Sequence, residues 1–243
     1  AELGRALCDQ LGCPGILGNV SRLVVDLNRE EDAPHIIPIA SDGHAIPGNA
    51  IDHEARVARI ARYWRPYHNR IASQITAQRP RLLISLHSFT PQLSTRPEEE
   101  RPWEIGILYN QDDRAARIAI PALEQAGVRV GDQQPYSGKL LNATMNRHGE
   151  DTGTAYLGIE MRQDLIDDAA GVAKWCDVLA PSLRVCAEGQ DTQLAAIDTP
   201  VRALLLQGDD VLVVHEGGVL RVTATGEHAP LSAWPQGRSE EHT

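Results

Sequence analysis

With 243 residues, 42% of them hydrophobic, the chain can bury a full core in one large domain, or in one domain plus a small appendage, and disorder is not expected. Its 23 Lys and Arg face 33 Asp and Glu, a formal net charge of -10, which leaves no basic footprint for a phosphate backbone and argues against nucleic acid as a partner. No apolar run approaches the roughly 20 residues of a membrane span, no signal-peptide pattern opens the chain, and four cysteines are too few for a disulfide framework. A cytoplasmic protein with ordinary free thiols and no membrane partner is expected.

Residues 1–12 place Leu3, Ala6, Leu7 and Leu11 on one stripe, which predicts an amphipathic helix. The chain opens without Met and directly in that helix, so an upstream segment is expected to be missing. Short apolar runs at 15–17, 22–27, 81–86, 104–109, 128–130 and 155–160 predict strands, and uninterrupted triplets such as Leu82-Leu83-Ile84 suit strands covered on both faces. Between them, Val57, Ile60, Tyr63, Trp64, Tyr67, Ile71 and Ile75 recur at three and four residues and predict one long helix over 51–78, bent at Pro66. Further helices are expected at 112–126, stopped by Gly127, at 140–148, and at 164–185. Alternation of the two periods implies an α/β fold with a mostly parallel or mixed central sheet flanked by helices over residues 1–188. After Glu188 a polar link, 189–192, leads into a β-hairpin appendage at 211–214 and 219–223, and 235–243 are expected to fray.

Two long loops, 30–50 and 88–102, are of a length that more often carries function than merely connects. In open parallel sheets ligands bind beyond the carboxyl ends of the strands, so the residues that close each apolar run are the first candidates. Asn28-Arg29, His87-Ser88 and Glu160-Met161-Arg162 close three of them. A cation, an imidazole and a carboxylate on one rim are what metal-assisted hydrolysis needs: a ligand, a base for water and a clamp for an anionic substrate. Each residue also has a structural alternative: His87 as a hydrogen-bonded core histidine, Glu160 and Arg162 as a structural rim pair, Arg29 as neutraliser of Glu30-Glu31-Asp32. Tyr136, in a Tyr-Ser-Gly-Lys loop, is a candidate substrate contact or a solvated turn. His35, His44, His53 and His68 show no paired spacing and are expected in loops or on the surface. No GxSxG elbow and no GxGxxG or GxxxxGK phosphate loop occurs.

Five segments together resemble the N-formylglutamate amidohydrolase family: 21–29, Ser41-Asp42-Gly43 through Gly48-Asn49, 86–91, 135–138 and 159–166, in family order. The family is itself similar to the zinc carboxypeptidases, which carry a D-x-N-R strand end, an H-S after a central strand and an E-x-R near the last. The resemblance implies a zinc-carboxypeptidase-like fold, zinc as cofactor, a small acidic N-acyl amino acid as partner, and a place in histidine degradation. It makes His87 a metal ligand, Glu160 the general base for metal-bound water, and Asn28, Arg29, Arg162, Asp42 and Tyr136 substrate contacts. The family's earlier metal-side segment has no counterpart in this chain, so zinc is expected to be weakly held. A catalytically silent domain that binds a carboxylate or a partner protein is the alternative. Residues 201–231 share scattered residues, among them His215 and 220–223, with small hemin-uptake proteins; an unrelated hairpin accounts for them equally well.

Overall fold

The computed structural model describes residues 1–194, 203–207, 210–215, 218–222 and 228–230. The chain divides into two compact units, 1–187 and 188–243. In the first, helix α1 (Glu2–Leu11) buries Leu3 and Leu7, and ends where Gly12, at φ 66°, donates its N–H to the Cys8 carbonyl. Strands β1 (Ala40–Ser41) and β2 (His44–Ala45) form a small hairpin about Asp42-Gly43, both at positive φ as a two-residue turn of this hand requires. Helix α2 (His53–Arg59) is capped by Asp52, whose side chain accepts from the Ala55 N–H, and runs through a π turn at Ile60–Trp64 into α3 (Arg65–Gln78).

The central sheet joins β3 (Leu83–Phe89), β4 (Ile105–Leu108), β5 (Val130–Asp132) and β6 (Tyr156–Arg162) in the order β3-β6-β4-β5. The β3–β6 and β4–β5 pairs are parallel and β6–β4 is antiparallel, so the sheet is mixed. Strand β6 lies inside it and is buried along all but its last residue, as its near-continuous apolar sequence requires. Helices α4 (Arg114–Gln125) and α6 (Ala169–Leu194) cover it; Ala115, Ala116, Ala119 and Leu123 from the first and Trp175, Leu179 and Leu183 from the second share one core with Ile105, Ile107, Tyr156, Leu157 and Ile159. The short helix α5 (Ala143–His148) precedes β6. A second, smaller core gathers Val25, Ile36, Ile37, Ile60 and Trp64 beneath the loop at 30–50. No described helix is long and apolar enough to cross a membrane.

The α/β class with a mixed, helix-flanked sheet agrees with the sequence. Three expectations are corrected. Residues 15–17 and 22–27 are not strands: the Val24 and Val25 N–H groups turn back to the Ser21 carbonyl, and the Ser21 hydroxyl takes the Leu23 N–H. Local bonds of this kind compete with a ladder. Carbonyls further along are taken by side chains instead, Leu23 O by Asn49 Nδ2 at 2.6 Å and Val24 O by Arg59 Nη1 at 3.1 Å. The single helix over 51–78 carries a π turn immediately before Pro66, where the Arg65 N–H reaches the Ile60 carbonyl. The polar link at 189–192 is instead the continuation of α6 to Leu194.

In the second unit, β7 (Ala203–Gln207), β8 (Asp210–His215), β9 (Gly218–Val222) and β10 (His228–Pro230) form an antiparallel meander in sequence order. The expected hairpin is its β8–β9 pair, with strands on both sides that the sequence did not announce. Residues 235–243 lie outside the described residues.

Candidate active site

Strands β3 and β6 run parallel with His87 directly opposite Glu160, and Ser85 opposite Gly158. Facing residues in register share a side of the sheet, so the imidazole and the carboxylate stand side by side. Both lie inside their strands rather than beyond them, because β3 extends to Phe89 and β6 to Arg162. On the other edge of β6, Glu160 faces Gly106 of β4. A Cβ there would collide with the Gln134 carbonyl, so the bare backbone of Gly106 is what lets the loop carrying Tyr136 close down beside Glu160.

Glu160 is 8% exposed, and its Oε2 is enclosed without a hydrogen-bond partner. Burial raises its pKa from 4.5 to about 7, opposed by the positive charge of Arg22. A buried native carboxylate with an unpartnered oxygen calls for a ligand or a reaction. His87 sits where solvent reaches it, yet enough protein surrounds the ring for desolvation to lower its pKa, with Asp26 raising it and Arg22 lowering it. Its Nε2 meets Ser85 Oγ at 2.9 Å and its Nδ1 makes no hydrogen bond to the described residues.

The segment at 22–29 supplies the cations. Asp26, buried, organises it: Oδ2 receives Arg22 Nη2 at 2.8 Å and stands 3.6 Å from Arg29 Nε, while Oδ1 accepts the Asn28 N–H at 3.0 Å. The Nη groups of Arg29 and the Nδ2 of Asn28 make no hydrogen bond to the described residues, and the Arg29 side chain is one-third exposed. Arg22 links the two halves, since its charge acts on both His87 and Glu160. Neither Arg22 nor Asp26 was singled out in the sequence; the available signal was Asp26 two residues before Asn28, the spacing at which a carboxylate takes a backbone N–H.

Other candidates are engaged elsewhere. Asp42 accepts from Ser94 N at 2.8 Å, Thr95 N at 3.0 Å and Thr95 Oγ1 at 2.6 Å, a clasp between the two long loops that holds its pKa well below the usual carboxylate range. The Tyr136 hydroxyl receives Arg101 Nη1 at 3.2 Å, and that guanidinium lies over the Tyr136 ring. Arg101, almost wholly buried, also bonds the Thr90 carbonyl and Glu99; the sequence offered no pattern that would pick it out. Arg162, on the Glu160 side of β6, bonds Asp164 at 2.9 Å. His35, His44 and His53 are exposed as expected, but His68 is not: it is buried on α3 against His148. Among the described residues no three His, Cys, Asp or Glu side chains gather closely enough to hold one metal ion.

The N-formylglutamate amidohydrolase family model matches residues 2–167. Among solved structures, a gene product of Agrobacterium tumefaciens superposes with a TM-score of 0.70 at 28% identity, over 79% of this chain and 76% of its own. The N-formylglutamate amidohydrolase of Ralstonia eutropha superposes with a TM-score of 0.60 at 18% identity, over 78% of this chain and 81% of its own, a likeness of fold. No curated protein matches the chain.

Proposed function

The chain belongs to the N-formylglutamate amidohydrolase family, and from that premise we propose that it hydrolyses the amide bond of N-formyl-L-glutamate or a closely related N-acyl amino acid. The observation that carries this reading is Glu160, a buried carboxylate with an unpartnered oxygen, side by side with His87 and poised near neutrality. At that pKa it is partly ionised at pH 7 and is matched to accepting a proton from water and returning it. Water oxygen bonds to the formyl carbon as Glu160 takes its proton; the C–N bond then breaks and the leaving nitrogen collects that proton. The products are formate and glutamate.

Arg29 presents two Nη groups with no hydrogen bond to the described residues, the planar fork that holds a carboxylate at two points, with Asn28 Nδ2 beside it. Arg162 adds a cation on the Glu160 side of β6. On this reading Tyr136, its hydroxyl held by Arg101, flanks the substrate from the loop that closes over Gly106, and Asp42 serves indirectly by fixing the loop at 88–102.

Zinc would supply polarisation of the carbonyl and of the attacking water. The donor set does not fit a catalytic zinc, which takes three protein ligands, because among the described residues no trio of His, Cys, Asp or Glu side chains surrounds His87. Weak zinc binding is therefore expected; titration calorimetry showing one tight zinc per chain would reverse this. The same incomplete donor set favours the second reading, a silent carboxylate-binding domain. Formate release from N-formyl-L-glutamate, measured with and without chelator for the wild type and Glu160→Gln, separates the two. Turnover lost in the variant supports hydrolysis; equal turnover removes Glu160 from its role, and none in either protein leaves the binding reading.

A further inference from the structure

Three consecutive residues at the carboxylate clamp are held from behind by buried residues that the reaction itself does not use. The Leu27 carbonyl accepts from His68 Nε2 at 3.0 Å and from Thr144 Oγ1 at 3.2 Å. The Asn28 Oδ1 accepts the Thr144 N–H at 3.0 Å, which fixes the amide oxygen on the first turn of α5. The Arg29 carbonyl accepts Trp64 Nε1 at 2.9 Å. His68, Trp64 and Thr144 are all buried and come from α3, the π turn and α5.

The protonation of this cradle follows from its partners. A carbonyl only accepts, so His68 carries its proton on Nε2, and in the neutral ring Nδ1 is left as an acceptor. His148 Nε2, 2.9 Å away, must then be the donor. The rings stack at 5.1 Å, and His68 also lies 4.0 Å from the Trp64 ring, so the imidazole is fixed in plane as well as in tautomer. Burial lowers the His68 pKa to about 4, although the Leu27 bond and Glu31 raise it, with His148 and Arg147 adding to the fall; burial and Arg147 lower that of His148 too, against Asp151. At neutral pH both rings are uncharged and the relay His148 to His68 to Leu27 is complete.

We propose that His68, oriented by His148, is a positioning residue that sets the reach of the Asn28-Arg29 carboxylate clamp through the Leu27 carbonyl. The inference rests on Arg29 binding the substrate carboxylate. Leu27 directly precedes the clamp in the chain, so freeing its carbonyl lets the guanidinium shift while Glu160 and His87, fixed in the sheet, stay in place. Loss of the bond therefore weakens substrate binding more than the chemical step.

The test measures kcat and KM for N-formyl-L-glutamate, and L-glutamate binding by calorimetry, in His68→Leu, His68→Gln, Arg29→Ala and the double variant combining His68→Leu with Arg29→Ala, with circular dichroism as the folding control. His68→Leu should raise KM and the glutamate Kd about tenfold, the worth of one buried hydrogen bond, with kcat nearly unchanged. His68→Gln, whose amide N–H can still reach the Leu27 carbonyl, should recover most of the loss. In the Arg29→Ala background His68→Leu should add nothing further. A folded His68→Leu protein with wild-type KM and Kd, beside an impaired Arg29→Ala, overturns the positioning role and leaves the clamp standing. Unimpaired Arg29→Ala, or no glutamate binding by the wild type, overturns the clamp and the inference with it. If His68→Leu does not fold, Thr144→Val, which removes the second donor to the same carbonyl, decides: an unchanged KM sinks the proposal.

Discussion

Glu160 makes a prediction in which fold and chemistry are tied to one proton. Burial moves its pKa from 4.5 to about 7, so the folded protein binds that proton more tightly than the unfolded chain does. Between those values the native state holds more protons than the unfolded one, and stability must fall as pH rises through the window. This is the reverse of a salt-bridged carboxylate, whose contribution disappears on acidification. At about 1.36 kcal/mol per pKa unit, the cost of keeping Glu160 ionised in place is about 3 kcal/mol, fully felt above about pH 8 and absent below about pH 4. Glu160→Gln removes the titration. Its buried amide carries a penalty of its own, about 1–3 kcal/mol, but one that does not vary with pH. The readout is therefore the difference between variant and wild type in urea unfolding followed by tryptophan fluorescence. It should swing by about 3 kcal/mol in favour of the variant between about pH 4 and pH 8.5. Curves that stay parallel within about 0.5 kcal/mol over that range would refute the assignment of a raised pKa to Glu160. The same ionisation should appear as the acid limb of the wild-type kcat/KM profile, with activity declining as pH falls below about 7.

Other consequences can be checked separately. Asp42→Asn should accelerate amide exchange at Ser94 and Thr95; because its folded pKa is depressed, the wild-type clasp should hold through the ordinary carboxylate range and open only at more acid pH, and equal exchange in the two proteins at neutral pH would count against the clasp. Arg101→Leu strips Thr90 and Tyr136 of a buried donor and should cost about 2 kcal/mol in urea unfolding, with a loss under about 0.5 kcal/mol arguing against a structural role. Gly106→Ala forces the Gln134 carbonyl away from β4 and should cost roughly 3 kcal/mol and lower the kinetic pKa beside it toward ordinary glutamate values as Glu160 becomes hydrated; a variant as stable as the wild type with an unmoved acid limb would refute the close approach.

Residue order alone determined much of the architecture. The stripe of α1, the Gly127 stop after α4 and the apolar triplet at the start of β3 are local patterns, the stripe set by the 3.6-residue period at which one face must leave water. Glu160 and His87 were legible for the same reason, as polar residues closing apolar runs, although the strands continue past both to Phe89 and Arg162. The partnership between them was decided by the β3–β6 register, which brings together residues 73 positions apart, and no local pattern encodes it. Residues 22–27 had strand composition but found side-chain donors from Asn49 and Arg59 before any neighbouring strand, so tertiary partners overrode propensity. His68 shows the limit most plainly: a lone histidine with no partner at three or four residues carries no signal. Its meaning comes from His148, 80 residues on, and from a carbonyl 41 residues back. Periodicity reports which side of an element is dry; which polar groups meet there depends on the packing of elements that sequence separation keeps apart.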